Sequence, residues 1–593
     1  MKVKYNYASP SMCTKNNDET TLGLSPDLSR DEKVSFLGRL KNPLIFRDAM
    51  LMLREIVISD NRVKEKNRDD FFNWLEDEIE RRVNEELKKM PNVREEITKK
   101  MNNLSIELEN KQLEILEVLK VKSKLQEYVD KTDIWKDYYN LERKFWQFIR
   151  DKDSDLWFVL DPVITVHKDK VSFEAFSLDE STYGCLSIDM EEFELLQEPK
   201  LGTTNIDFSY KLAKEIERFR TYNDVTLSVN PEGFSVESGI IPEYVEKKID
   251  LPETWIKGFN QVSAAASMPG IELQITKTDM YDICAYLRKH KEKESPRYMK
   301  FILEPEKNIK ILFEPFKDII TLESIYKGDK KREEKIWGRR RWLVMEKLLP
   351  LANNFTIKLL GFGMPQFIVC DMGGIKMTIG FTSWSSNDWV KGTSFNIMAG
   401  FIGDGAYKDV YNLLKTERAL TLDEIKNSLK HIDMKACNAG IGMLFKKGEA
   451  YYDIVSNKVR FRQLVNEPIP KKLYQVTQIE ADVLKYLKDK SMDNFELCVN
   501  ENGDYVFKDK MTYTEYYSSY KYLSNTEVVI DKDGTICNVD CNCSTFRYGS
   551  KNISQPCEHI LALYINCIKY LNKANFEVGK VYKINDIVEQ ILL

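Results

Sequence analysis

Apolar residues recur about every four positions between residues 65 and 130, and this spacing predicts two long amphipathic helices. The first apolar stripe comprises Phe71, Leu75, Ile79, Val83 and Leu87, and the second, after Pro91, comprises Leu104, Leu108, Ile115, Leu119 and Leu125. Acidic and basic residues fill the other faces. We therefore predict a helical hairpin or coiled-coil region within residues 35–150, after a polar N-terminal segment at residues 1–34. The hairpin could be a solvated scaffold arm or a docking arm for a partner.

From Trp157 onward the hydrophobic pattern changes to alternation between turn residues, which predicts strands. Helical periodicity returns at residues 208–224 and 336–352. We interpret residues 155–300 as a mixed α/β region and residues 301–404 as a β-rich region.

Residues 405–465 show three helical segments followed by two short strands. Thr421 precedes the second helix with Glu424 three positions later, which is a capping box. The third helix is expected to end at Lys447, and the two strands to meet at Ser456 and Asn457. This order is typical of a winged helix. Residues 470–593 form the last predicted domain, so the expected fold class is α+β and multidomain.

Composition limits the classes of protein that fit. The chain has 593 residues, 43% hydrophobic and 31% charged, which indicates a globular protein of about three to five domains. The net charge of -5 argues against a surface that is basic throughout. Apolar runs are shorter than the ~20 residues of a membrane span, and the N-terminus lacks the apolar core of a signal peptide. We expect a cytoplasmic protein without membrane contacts, in which clustered cysteines bind metal more often than they form disulfides.

The chemistry of the chain is concentrated near residue 541. Four of its eleven cysteines and one of its four histidines lie between Asp540 and Ile568. Residues around Lys532, Asp533 and Gly534 predict a hairpin, whose second strand would present alternate side chains to one face. A helix is predicted to begin beside Cys557. Four candidate ligands result, enough for a tetrahedral structural zinc site: Cys541, Cys543, Cys557 and His559.

Two nearby cysteines are excluded from this site by distance. Cys537 lies roughly 13 Å along the strand from Cys541, and Cys567 lies roughly 12 Å along the helix from His559. We predict that both are core thiols.

The pattern Cys541-x-Cys543, a spacer from Ser544 to Pro556, and Cys557-x-His559 resembles the SWIM zinc finger, a β-β-α unit. Stretches earlier in the chain resemble the bacterial stand-alone SWIM zinc finger proteins: the opening YNYASPS, then FSLDESTYGCLSID, GTTNIDFS, LPETWIKGF, IWGRRRWLVMEKLLP and GFTSWSSNDW. The first resemblance implies a module that binds protein or DNA. The second implies work beside a MoxR-type AAA ATPase and a von Willebrand A-type protein.

Basic residues supply the candidates for nucleic-acid contact. Arg547 and Lys551 lie in the spacer beside aromatic residues, where they could contact phosphate or belong to a solvated loop. In the winged-helix-like segment the candidates are Lys435, at the start of the third helix, and Lys458, Arg460 and Arg462 on the wing. The same segment could instead serve protein contacts.

Motifs of nucleophilic or metal-dependent catalysis are scarce in the chain, and a phosphate-binding loop of the form G-x-x-x-x-G-K-[ST] does not occur. The sequence therefore favours a non-enzymatic adaptor with a structural zinc finger. A protein that binds DNA through the winged helix and the zinc loop is the first alternative. A hydrolase within residues 155–400 is the second.

Overall fold

A computed structural model gives the fold of most of the chain outside residues 60–161. The described residues are 11–16, 19–27, 33–59, 162–206, 208, 210–222, 224–230, 253–292, 297–361, 364–382, 389, 395–403, 405–465, 469–488, 495–514, 521–549 and 556–592. All of them belong to one unit, formed by residues 1–61 and 158–593. The predicted helical hairpin at 65–130 lies outside the described residues.

Strands and helices alternate irregularly along the described residues, and the predicted α+β class is confirmed. The strands of the first part are β1 (Met12–Asn16), β2 (Glu19–Leu24), β3 (Phe36–Leu40), β4 (Val163–Val166), β5 (Lys170–Phe176), β6 (Thr182–Asp189), β7 (Phe193–Leu195), β8 (Gly202–Asn205), β9 (Asp224–Val229), β10 (Ile271–Thr276), β11 (Met299–Leu303) and β12 (Asn308–Phe313). Those of the second part are β13 (Asp318–Ile325), β14 (Arg332–Ile336), β15 (Asn354–Leu359), β16 (Gln366–Asp371), β17 (Ile375–Phe381), β18 (Ala419–Leu420), β19 (Ala450–Asp453), β20 (Lys458–Phe461), β21 (Glu496–Val499), β22 (Tyr505–Thr514), β23 (Lys521–Ile530), β24 (Ile536–Cys541) and β25 (Val581–Lys583).

The α-helices are α1 (Pro43–Ile58), α2 (Tyr210–Ile216), α3 (Glu253–Ser267), α4 (Lys277–Lys289), α5 (Phe395–Met398), α6 (Tyr407–Glu417), α7 (Leu422–Ser428), α8 (Met434–Lys447), α9 (Lys471–Tyr474), α10 (Gln478–Lys488), α11 (Ser544–Gly549), α12 (Glu558–Ile568) and α13 (Ile584–Leu592). Two segments form 3-10 helices, Met190–Glu192 and Arg339–Lys347.

The N-terminal segment contributes strands to a sheet with the order β1-β2-β9-β3-β7. The helical prediction that began at Ser35 is wrong for β3, because Phe36, Gly38 and Arg39 pair with β9 and Gly38 and Arg39 also pair with β7. In β3 burial alternates residue by residue, which is the pattern of a strand rather than a helix.

An eight-stranded antiparallel sheet forms the centre of the described residues, with the order β10-β15-β16-β17-β6-β5-β4-β8. Helices cover both of its faces. A Cβ at Gly184 of β6 would lie 2.7 Å from Ile56 of α1, whereas the neighbouring Tyr183 packs against Phe259 of α3. Burial on both faces explains why β5 is buried along its whole length. The sheet draws strands from both predicted regions, 155–300 and 301–404.

A smaller antiparallel sheet, β13-β12-β11-β14, lies next along the chain. The structure does not have the single helix predicted at 336–352. Instead, β14 extends to Ile336 and a 3-10 helix begins at Arg339. Gly338 between them has φ +68°, in the left-handed region. The guanidinium groups of Arg339 and Arg341 are buried and donate to backbone carbonyls, so these side chains support the local fold.

Residues 405–465 form α6, β18, α7, α8, β19 and β20, with the three strands in the order β18-β20-β19. The capping box is present: Thr421 Oγ1 accepts from the Glu424 amide at 3.1 Å, and the Glu424 carboxylate accepts from the Thr421 amide. Helix α8 ends at Lys447, and Gly448 follows in the left-handed region with φ +68°. The predicted three helices and hairpin occur in that order, with the short strand β18 added.

The C-terminal sheet has the order β24-β23-β22-β21-β25, and all of its pairings are antiparallel. The predicted hairpin joins β23 to β24, and Gly534 in its turn has φ +90°. Helix α12 packs on this sheet, and its residues Ile560, Leu561 and Leu563 are fully buried.

Candidate metal centre

The β23–β24 hairpin positions the first two cysteines. Thr526 of β23 pairs with Cys541, the last residue of β24. Cys543 follows two residues later, just before α11 begins at Ser544. Cys541 is 1% exposed and Cys543 is fully buried, so both thiols face the interior, as the alternation predicts.

The start of α12 positions the other two side chains. Cys557 is the N-cap residue of the helix, with extended backbone angles of φ -78° and ψ 170°. His559 lies in the first turn, and both residues are fully buried. A helix start holds these residues close together, because only Glu558 separates them.

The four side chains meet at one point. Three Sγ atoms and one imidazole nitrogen, from Cys541, Cys543, Cys557 and His559, all lie within 4.8 Å of one another. A tetrahedral zinc shell with Zn–S bonds of about 2.3 Å has ligand-to-ligand distances of roughly 3.7 Å, so the cluster is close to that size. The donor set therefore fits a metal ion that is coordinated entirely by protein.

The sulfur atoms are arranged to share charge. The pKa of the Cys541 thiol lies far below its ordinary value, because Cys543 and Cys557 donate hydrogen bonds to its thiolate. The pKa of Cys543 is raised to about 12 by the same hydrogen bond with Cys541. The three thiols thus share hydrogen bonds around one easily ionised sulfur, and metal ligation requires that all three sulfurs lose their protons.

Neighbouring groups donate to the sulfurs as well. The Phe546 amide at the start of α11 donates to Cys543 Sγ at 3.3 Å. The Thr526 hydroxyl lies 3.4 Å from Cys541 Sγ. Hydrogen bonds to coordinated thiolates are a common second shell of metal sites, and these two come from separate elements.

The imidazole of His559 is held by two tyrosines. Its Nε2 lies 3.3 Å from the hydroxyl of Tyr486 on α10, and its ring packs at 4.8 Å, edge to face, against Tyr513 of β22. Its Nδ1 is buried and has no hydrogen-bond partner among the residues that the structure describes. The sequence did not indicate either tyrosine, because they lie 73 and 46 positions before the histidine.

The two excluded cysteines lie outside the cluster. Cys537 is partly buried and Cys567 is fully buried in α12. Burial raises the pKa of Cys537 to about 12, so this thiol stays protonated at neutral pH. Neither sulfur is among the atoms that meet at the candidate metal centre.

The spacer residues chosen for nucleic-acid contact are only partly described. The backbone of Arg547 lies within α11, and Lys551 lies outside the described residues. On the winged-helix-like segment, Lys435 is exposed at the start of α8 and Lys458 is half-buried in β20.

Arg460 and Arg462 are placed differently from the predicted phosphate contacts. Each is 1% exposed. Arg460 bonds both carboxylate oxygens of Asp169, at 2.8 and 2.7 Å, and also Asp453 at 2.7 Å. Arg462 bonds Glu174 at 2.6 Å. Because both guanidinium groups are buried and paired with carboxylates of this chain, they are a poor fit to phosphate binding, and the expected role for them is corrected to packing of β20 and the residue that follows it on the central sheet.

This buried layer contains further charged and polar groups that the sequence analysis had left unassigned. Lys170 of β5 donates to Asp453 at 2.8 Å, and both side chains are about 5% exposed. His167 Nε2 lies 3.1 Å from the Tyr451 hydroxyl. Burial, followed by the charge of Arg460, lowers the pKa of His167 to about 3, so this histidine is neutral at pH 7.

Helix α8, the third helix of the segment, is also enclosed. A Cβ at Gly442 would lie 2.4 Å from the Phe401 carbonyl oxygen, and one at Gly440 would lie 2.9 Å from that of Ala406. Helices α3 and α6 both pack against it. Its exposed surface is confined to the first turn, around Met434 and Lys435.

No family model matches the sequence, and no curated protein matches it. Some solved structures have a partly similar course of the backbone. One is the proliferating cellular nuclear antigen of Entamoeba histolytica, at 10% identity, with 37% of this chain and 88% of that chain covered and a TM-score of 0.27.

Two further similar structures cover a similar share. One shows the C-terminal region of FEN-1 bound to A. fulgidus PCNA, at 15% identity, 37% and 88% coverage and a TM-score of 0.26. The other is the PCNA2–PCNA3 complex of Sulfolobus tokodaii, at 10% identity, 37% and 89% coverage and a TM-score of 0.25. Similarities at this level support no conclusion about this chain. Among the described helices, none has the length and apolarity needed to cross a bilayer.

Proposed function

We propose that this protein is a non-enzymatic adaptor whose C-terminal domain is a SWIM-type finger built on a structural zinc ion. The observation that carries the proposal is the closed set of four buried protein ligands, Cys541, Cys543, Cys557 and His559. A catalytic zinc keeps one position open for water, whereas three thiolates and one imidazole fill a tetrahedral shell. Zinc suits this donor set best, because soft thiolates with one imidazole are its usual structural ligands.

The proposed role of the ion is to join two elements. It would tie the end of the β23–β24 hairpin to the start of α12, the two parts that supply the ligands. Structural zinc contributes on the order of 10 kcal/mol of binding energy to folding in small zinc-finger peptides. The ligand spacing, the hairpin before it and the helix after it support the assignment to the SWIM type.

Protein contacts are proposed as the primary activity, because the predicted DNA-reading parts are enclosed. Arg460 and Arg462 lie in buried ion pairs, and most of α8 is covered by α3 and α6. The resemblance to stand-alone SWIM proteins suggests the partners, a MoxR-type AAA ATPase and a von Willebrand A-type protein. Lys435 and Lys458 remain candidates for nucleic-acid contact under the alternative of direct DNA binding.

Metal analysis of the full-length chain tests the zinc assignment. We expect one zinc ion per chain after purification, and loss of it in Cys541→Ser together with protease sensitivity within residues 470–593. Cys537→Ser is the matched control, because it makes the same change on the same strand outside the cluster. A Cys541→Ser variant with normal zinc content and protease resistance would refute the metal centre.

Affinity purification of the zinc-loaded protein from its own host, with and without nuclease, tests the adaptor role. An ATPase that co-purifies with the protein both with and without nuclease treatment supports the proposal. Loss of all partners upon nuclease treatment, with nucleic acid present in the untreated sample, would favour the DNA-binding alternative instead.

A further inference from the structure

His559 offers two nitrogens to a metal ion, and the structure distinguishes them. Nε2 lies 3.3 Å from the Tyr486 hydroxyl. Nδ1 is buried without a hydrogen-bond partner among the described residues, and the Glu558 carboxylate lies 3.9 Å away, beyond hydrogen-bond distance, which leaves this nitrogen available to a metal ion at the cluster. An unsatisfied buried nitrogen costs free energy comparable to that of a lost hydrogen bond, so a missing partner is implied.

We infer that Tyr486 is the positioning residue of the metal centre: its hydroxyl oxygen accepts the Nε2 proton of His559 and leaves Nδ1 as the metal-binding nitrogen. The inference rests on the proposed function, because it concerns how the same four ligands bind zinc. It adds a residue outside the cysteine–histidine motif and the identity of the coordinating atom.

The chemistry of imidazole supports this assignment of the proton to Nε2 and of the metal to Nδ1. A neutral imidazole carries one N–H and one lone pair, and a metal ion takes the lone pair. If Nδ1 binds the metal, the proton must lie on Nε2, where an acceptor at hydrogen-bond distance keeps it. Histidine ligands in proteins usually donate their second N–H to such a partner, which fixes the tautomer and the orientation of the ring.

Tyr486 is also held in place independently of the metal. It lies on α10, which packs against α12. The same helix carries Glu480, which is 2% exposed and accepts from Lys446 of α8 at 2.6 Å. Because this buried ion pair anchors α10 to the winged-helix-like segment, the hydroxyl is presented to His559 from a fixed position.

A purely structural role for the tyrosine ring is the competing explanation, and the chain offers a matched control for it. Tyr513 also packs against His559, with ring centroids at 4.8 Å and an interplanar angle of 67°. The hydroxyl at hydrogen-bond distance from Nε2 is that of Tyr486. Tyr486→Phe and Tyr513→Phe therefore remove one hydroxyl each and keep a ring beside the same imidazole.

The test uses the full-length, zinc-loaded protein labelled with ¹⁵N at its four histidines. Long-range proton–nitrogen NMR should show one histidine, identified by its change upon chelation of zinc, with a proton on Nε2 and metal on Nδ1. In chelator competition we expect Tyr486→Phe to weaken zinc binding by roughly 10- to 100-fold, the usual cost of losing a second-shell partner. Tyr513→Phe should leave the zinc affinity at the wild-type value.

Two results would overturn the inference. A zinc-bound histidine protonated on Nδ1 would refute the assignment of the nitrogen, and this outcome needs no variant to fold. Equal zinc affinities for the two Phe variants would refute the positioning role. A wild-type chain that takes up no zinc would instead refute the proposed function, so the two failures are distinguishable.

Discussion

Arg462 and Glu174 form an ion pair with almost no contact with water, at 0% and 1% side-chain exposure. The guanidinium also lies over the rings of Phe259 and Tyr451, at 4.6 and 5.1 Å from their centroids. Taking both charges out of water is expensive, so each depends on the other. This dependence makes the pair a sensitive probe of how β20 is attached to the central sheet.

Replacement of the arginine alone should be costly. We expect Arg462→Met to lower the free energy of unfolding by about 3–5 kcal/mol, because it leaves the Glu174 carboxylate buried without its cation. Arg218→Met is the control, since Arg218 pairs with Glu215 on the surface at 63% exposure and such pairs contribute about 0–1 kcal/mol. Urea unfolding measures both. The double variant Arg462→Met/Glu174→Gln should recover part of the loss, and equal costs for Arg462→Met and Arg218→Met would contradict the prediction.

Asp509 is a second buried acid, and it should make stability depend on pH. It is 4% exposed, its Oδ2 has no partner among the described residues, and burial raises its pKa to about 6. Between the unfolded pKa of about 3.9 and the folded value the native state holds the extra proton. The contribution of Asp509 to the free energy of unfolding is therefore fully present below pH ~4, and it is lost as the pH rises through about 6.

The Asp509→Asn variant isolates this effect. Relative to wild type it should be more stable above pH 6, and the difference should shrink towards pH 4 in urea unfolding. Asp540→Asn on the exposed side of β24 is the control for the same substitution at an exposed position. A constant difference between Asp509→Asn and wild type from pH 4 to 7 would show that the carboxyl titrates normally.

At the scale of elements, helix α8 is the best example of packing that overrides local preference. Glycine is normally destabilising inside a helix, by about 1 kcal/mol relative to alanine. In α8 two glycines allow the backbone of neighbouring segments to approach, and a Cβ at Gly442 would lie 2.4 Å from a carbonyl oxygen. The close contact is with backbone, which cannot move aside as a side chain can.

Gly442→Ala should therefore destabilise the protein, the opposite of its effect in an isolated helix. We expect a loss of about 1–3 kcal/mol, the usual cost of overpacking, in thermal or urea unfolding. Asn438→Ala, at a half-buried position of the same helix, controls for helix propensity and should be nearly neutral. A stabilised Gly442→Ala would mean that α8 lies further from Phe401 than the structure shows.

Elements fixed by local signals were the ones that the sequence could predict. The Thr421 capping box, the end of α8 at Gly448 and the turn at Gly534 each depend on residues a few positions apart. The four residues of the candidate metal centre were likewise predictable, because their spacing on one hairpin and one helix is local. Arg460 could not be placed in this way, since its partner Asp169 lies 291 positions away, and a basic wing residue has the same local pattern whether it meets water or a carboxylate. Tyr486 was missed for the same reason.

At the scale of the whole molecule, the C-terminal sheet is joined to the rest of its unit through several buried or half-buried contacts. Asp531, at the hairpin turn, pairs with Arg332 of β14 at 2.5 Å, with 1% and 9% exposure. Lys330 donates to the Gly503 carbonyl at 2.9 Å. These contacts lie at the opposite end of β24 from the candidate metal centre.

This arrangement predicts how the loss of metal spreads. If a chelator strips the proposed ion, the thiols of Cys541, Cys543 and Cys557 lose the charge that would hold them together, and we expect the start of α12 to be released. Hydrogen exchange should then rise strongly in residues 536–543 and 556–568, and more weakly in α10, which is tied to His559 through Tyr486. Strands β5 and β6 lie between helices and share no ligand with the site, so their protection should stay unchanged.

Heating should show the same separation. With zinc bound we expect the C-terminal domain to unfold at a higher temperature than after chelation, by an amount that grows with free zinc as ligand linkage requires. The central sheet should unfold at the same temperature with and without zinc. Calorimetry of the metal-free chain should therefore resolve two separate transitions, whereas those of the zinc-bound chain overlap. A uniform rise in exchange over both sheets, or a single transition that shifts as a whole, would show that the metal centre supports the entire unit rather than its C-terminal sheet.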